Sequence, residues 1–72
     1  MEAQDLLARV EQGLVSHKAH LAEMERRIHE VTDEGKIYHA VEHELVNALR
    51  IYQCNTEELL RKVHQARLEI PR

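Results

Sequence analysis

Along the first half of the chain a single row of positions alternates steps of three and four: Leu7, Val10, Leu14, His17, Leu21, Met24, Ile28 and Val31, with His17 its one polar member. This alternation marks a helix packed lengthwise on another helix, because a repeat of 3.5 keeps one face turned toward its neighbour. A second stripe follows at Tyr38, Val41, Leu45, Ala48, Leu49, Tyr52, Leu59, Val63, Ala66 and Ile70. Between the two lies Thr32-Asp33-Glu34-Gly35-Lys36, a polar cluster with a glycine at mid-chain. The pattern predicts an all-α chain with a helix over about 3–32, a turn over 33–36 and a second helix over about 37–70, stopped by Pro71. Equal helices joined by a short loop form an antiparallel two-helix hairpin of coiled-coil type, here one domain spanning 1–72.

One unbroken helix in a parallel coiled coil is the rival, since the heptad phase survives the middle. That register places Gly35 and Glu42 in consecutive core layers, leaving a hole beside a carboxylate whose burial is costly. Folding back at 33–36 turns Gly35 into a turn residue and moves Glu42 to the flank. It also pairs Val31 with Tyr38, Ile28 with Val41, Met24 with Leu45, His17 with Tyr52, and Val10 with Leu59. The segment Asn55-Thr56-Glu57-Glu58 has the spacing of a capping box. The stripe keeps its phase through Leu59 and Val63, so the segment reads as a polar layer in a continuous helix.

Six aliphatic residues fall outside the predicted seam: Leu6 and Val15 in the first helix, and Ile37, Val46, Ile51 and Leu60 in the second. A hairpin needs only one stripe per helix, so this surplus predicts a surface for a partner. Size points the same way. A core drawn from 72 residues without Phe or Trp seldom leaves more than ~3–5 kcal/mol of net stability. Completion by self-association or by another helical protein is therefore expected.

Composition narrows the partner. The net charge is -3, with 10 Lys and Arg against 13 Asp and Glu, and the bases are interleaved with acids rather than clustered for phosphate. The densest basic run forms Glu57–Arg61 and Glu58–Lys62 pairs at i,i+4, a solvated helix face. No run approaches the ~20 apolar residues of a membrane span, and the acidic start lacks the apolar core of a secretory signal. The lone Cys54 allows no internal disulfide and suits a reducing compartment. A cytoplasmic protein that contacts neither nucleic acid nor membrane is expected.

Six histidines raise the question of metal. His39 and His43 share a helix face at i,i+4, as do His17 and His20 at i,i+3, but zinc sites want three or four converging ligands. These pairs carry no functional metal site on this reading, and His29 and His64 read as ordinary exposed side chains. His17, on the seam, reads as a core histidine that fixes register against Tyr52. Ser16, Thr56 and Cys54 lack the Gly-rich elbow or neighbouring base that a nucleophile needs. The expectation is a chain with no catalytic residue and no cofactor.

The turn Asp33-Glu34-Gly35-Lys36 leading into Ile37-Tyr38, followed by Val41, Glu44, Ala48 and Ile51, resembles one small bacterial family. These are the YscE/SsaE/EscE-type co-chaperones of type III secretion needle subunits, in which a Tyr soon after the turn similarly opens the second helix. The resemblance covers most of the chain in length and layout. It implies a helical hairpin that binds a tetratricopeptide-like chaperone and keeps the needle subunit unpolymerised. A homo-oligomerising coiled-coil module of a larger assembly, either a parallel dimer or a four-helix bundle, is the alternative drawn from the residues.

Overall fold

The computed structural model describes residues 2–70. Two helices of 31 residues each, α1 (Ala3–Asp33) and α2 (His39–Glu69), pack antiparallel along their length, with no strand among the described residues. The Cα envelope measures 54 × 16 × 12 Å, half the length of about 108 Å that a straight helix of this chain would reach at 1.5 Å per residue.

The reversal is built from backbone bonds at the end of α1. The Gly35 N–H donates to the Thr32 carbonyl at 2.9 Å and the Lys36 N–H to the Val31 carbonyl at 3.0 Å. This nested pair is a Schellman motif, which satisfies carbonyls that a helix end leaves free. It requires a left-handed residue after the cap, and Gly35 supplies it with φ 76°. Tyr38 then takes an extended conformation as the N-cap of α2, and its carbonyl accepts from Val41 and Glu42 at 3.0 Å each. The second helix therefore begins two residues later than the stripe suggests.

At the other ends, the Glu2 carbonyl accepts from the Leu6 N–H, and Asp5 lies near the positive end of the α1 dipole. The Ile70 N–H closes α2 on the Ala66 carbonyl at 3.1 Å, while the expected stop at Pro71 lies outside the described residues. Helix α2 is continuous through 55–58. The Thr56 hydroxyl donates to the Tyr52 carbonyl at 2.8 Å, so Thr56 forms a buried polar layer and caps nothing.

The interhelix contact is narrow and partly polar. Among the described residues, only Leu21, Val46 and Val63 are buried apolar residues, at 4%, 6% and 7% exposure, and Thr32 and Thr56 are buried with them. Both threonine hydroxyls donate to the carbonyl four residues back, Thr32 to Ile28 at 2.8 Å, so neither is left unsatisfied. In α1 the row Leu7, Leu14, Leu21 and Ile28 lines the contact. In α2 it is lined by Glu42, Val46, Leu49, Gln53, Thr56, Leu60, Val63 and Arg67, which lie half-buried or buried.

The seam is accordingly rotated by about one row from the apolar stripe read in the sequence. Val10, His17, Tyr38, Val41, Leu45, Tyr52 and Leu59 are exposed and lie outside it, whereas Met24 and Val31 remain half-buried at its edge. His17 is thus no core histidine. Val46 and Leu60, expected on the partner surface, lie in the seam instead. Side-chain bulk explains the rotation, because helix separation is set by the residues at the contact. Thr32, Val46, Thr56 and Val63 permit close approach, and two tyrosine rings in the same layers would hold the helices apart.

Candidate functional site

The rotated seam leaves the hairpin with two unlike flanks. On one, polar residues at every seventh position of α1 reach across to α2. Gln4 Nε2 donates to the Arg67 carbonyl at 2.8 Å, and Arg67 Nη1 donates to Glu11 Oε2 at 3.0 Å. Lys18 pairs with Glu57 at 2.9 Å, Arg50 with Glu25 at 3.2 Å, and His29 with Glu42 at 2.8 Å. These contacts form a ladder from the open end to the turn. The Lys18 ammonium holds the Glu57 carboxyl below its ordinary pKa of 4.5. Glu42 is likewise lowered, first by its hydrogen bond from His29 and then by His39 and Thr32.

The opposite flank is apolar. Counting by sevens from Ala3 gives Val10, His17, Met24, Val31, Tyr38, Leu45, Tyr52, Leu59 and Ala66, a row that crosses the turn in phase. None of its ten members is Asp, Glu, Lys or Arg. Seven are exposed, Tyr38 at 83% and Tyr52 at 60%, and Met24, Val31 and Ala66 are half-buried. The two halves of the row lie side by side for a geometric reason. Antiparallel helices are related by a local twofold axis perpendicular to both, which carries a heptad position of one helix onto the same position and the same flank of the other. Leu6, Val41 and Ala48, one position further round, extend the strip outward.

The six residues expected to contact a partner do not form one surface. Leu6 borders the apolar strip, Ile37 is half-buried in the turn, and Ile51 is exposed on the outer face of α2. Val46 is buried, while Val15 and Leu60 border an open depression on the ladder flank together with Glu11, Arg61, His64 and Gln65. The strip is instead made by seam candidates, Val10, Tyr38, Val41, Leu45, Tyr52 and Leu59. What the sequence reading missed was the polar row Gln4, Glu11, Lys18, Glu25 and Thr32. Its strict seven-residue recurrence beside the Leu7, Leu14, Leu21, Ile28 row was the available signal.

Of the histidines, His29 and His39 both contact Glu42, at 2.8 and 3.5 Å. His43 contacts Asn47 at 3.2 Å. No group of three or more His, Cys, Asp or Glu among the described residues is placed to hold a metal ion. Cys54 is a free, exposed thiol on the outer face of α2, and no described helix is long and apolar enough to cross a membrane. What the arrangement can do chemically is present a long uncharged strip to another surface. No protein-family model matches the chain, and no curated protein or solved structure matches it either.

Proposed function

We propose that this chain is a non-catalytic helical interaction module that works by offering the Val10–Tyr52 flank to helices outside the hairpin. One observation carries the reading: Leu45, Tyr52 and Leu59 lie on an exposed flank, while Glu42, Gln53, Thr56 and Arg67 share the hairpin's own seam with its leucines and valines. A chain optimised to stand alone would bury Leu45, Tyr52 and Leu59 before Glu42, Gln53 or Arg67, since each large apolar side chain removed from water is worth about 1.5–3 kcal/mol. The exposed strip is therefore under pressure to be covered.

The co-chaperone role implied by the resemblance is one form of this reading. In it a tetratricopeptide-like chaperone in the bacterial cytoplasm covers the strip and the complex keeps a needle subunit unpolymerised. What supports that form is the two-helix layout and the Gly35-to-Tyr38 turn. Self-association is the other form, favoured by the absence of charge along the strip. Leu45→Asp tests the common claim. It should abolish whatever association the wild-type chain makes while leaving α1 and α2 helical by circular dichroism under conditions in which the wild type is also dilute. If Leu45→Asp leaves association intact, the flank is not the working surface.

A further inference from the structure

We infer that the apolar flank is covered by a second copy of this chain, two hairpins stacking flank to flank into a four-helix bundle. The inference rests on the module reading and names its partner. Three features of the molecule point to a copy.

The first is area. The chain exposes 5732 Å², against roughly 4,650 Å² for a compact monomer of 8.5 kDa. The broad face of the Cα envelope, on which the flank lies, measures 54 × 16 Å, on the order of 860 Å². A stable specific interface needs ~800 Å² from each partner, so a face of this size on each of two copies is large enough for a dimer.

The second is charge. A contact of twofold symmetry lays a patch on itself, so a charged residue near the axis meets its own sign. Charged residues are 32% of the chain, and a row of ten would on that average carry about three. The row at 3, 10, 17 and onward to 66 carries none. Arg27, Glu34, Lys62 and Glu69 all sit one position outside it, where water can reach them. A partner of different sequence could be met by complementary charges, and the strip offers no charge for one to recognise.

The third is continuity. The row keeps its seven-residue step through the turn, so the strip runs the full length of both helices and has no polar break at the closed end. Two such strips can cover each other along their whole length, helix against helix on both sides. Stacked hairpins bury both halves, as four-helix bundles do around a core of seam-type positions.

The test is the mass of the intact chain by light scattering, together with its thermal midpoint at two concentrations tenfold apart. A dimer of about 17 kDa, twice the 8.5 kDa chain, is expected, with a midpoint that rises with concentration because association stabilises the folded form by mass action. Leu45→Lys and Tyr52→Lys should each reduce the mass to that of one chain. Ile51→Lys, on the outer face of the same helix, should leave the dimer whole. A wild-type chain that stays monomeric with a concentration-independent midpoint overturns the second copy, while the flank still stands as a surface for a different protein. A dimer broken by Ile51→Lys and indifferent to Tyr52→Lys overturns both the second copy and the flank as the working surface. The concentration dependence of the wild type needs no substitution, so a variant that fails to fold does not blunt the result.

Discussion

Gly13 and Gly35 are the only two glycines, and replacing each by Ala should act in opposite directions. Gly13 lies in the middle of α1 with nothing within 4 Å of the position a Cβ would take. Gly13→Ala should therefore stabilise the helix by about 0.5–1 kcal/mol. Gly35 holds φ 76° in the Schellman turn, where a Cβ meets the following carbonyl, so Gly35→Ala should cost about 1–2 kcal/mol. Thermal unfolding followed at 222 nm (the helical band) compares the two, and a shared sign would contradict the turn geometry. Leu21 and Leu68 form a second contrast. Leu21 is the most buried leucine and Leu68 is largely exposed, so Leu21→Ala should cost about 2–5 kcal/mol and Leu68→Ala no more than about 0.5 kcal/mol. In a hairpin this small the first loss removes much of the net stability.

Between the helices, the ladder flank makes a prediction about pH. Glu42 and Glu57 have carboxyl pKa values depressed below 4.5 by His29 and Lys18 respectively. A depressed folded-state pKa means that the unfolded chain binds protons more readily. Their contribution is thus complete above about pH 4.5 and is lost as pH falls through the lower folded-state values. The thermal midpoint should fall on acidification below about pH 4.5, and Glu57→Gln should flatten part of that fall. A wild-type acid limb unchanged in Glu57→Gln would show that the Lys18 pair does not couple the helices. Both partners are about half exposed, so raised salt should weaken the pair as well.

The elements themselves were legible in the sequence to within two residues. The alternation from Leu7 to Val31 marked α1, the Thr32–Lys36 cluster marked the reversal, and Gly35 was the residue the turn needed. The start of α2 was not, because Tyr38 belongs to the apolar stripe by spacing and only backbone conformation makes it a cap. The working surface was legible as a quantity, more apolar residues than one seam can use, but its position was misread. Hydrophobicity ranked Tyr38, Leu45, Tyr52 and Leu59 as the residues to bury, and it gave no weight to Glu42, Gln53 and Arg67 as members of a seam.

For the whole molecule, shape is the most testable consequence. The Cα radius of gyration is 16.4 Å, against about 11 Å for a compact globule of 72 residues. Flank-to-flank stacking adds thickness along the 12 Å dimension and leaves the 54 Å length unchanged. Small-angle scattering should therefore give nearly the same maximum dimension at high and low concentration while the forward intensity doubles. A maximum dimension that doubles instead would mean end-to-end association and would place the contact at the turn or the open end. Such a result would leave the strip uncovered.

The chain's own order of residues determined that it forms two long helices of equal length, that it reverses at Gly35, and that it carries more apolar surface than a hairpin can hide. These are local properties, set by heptad spacing, a left-handed glycine and the scarcity of helix breakers. Which row of each helix turns inward was decided only in three dimensions. The apolar stripe on each helix is wider than the contact it feeds, so periodicity fixes a face to within a row and no closer. The choice then falls to pairwise fit between residues on different helices, well separated along the chain. Small Thr and Val side chains let the helices close, Lys18–Glu57 and Arg50–Glu25 bridge one flank, and the tyrosines and leucines are left on the other.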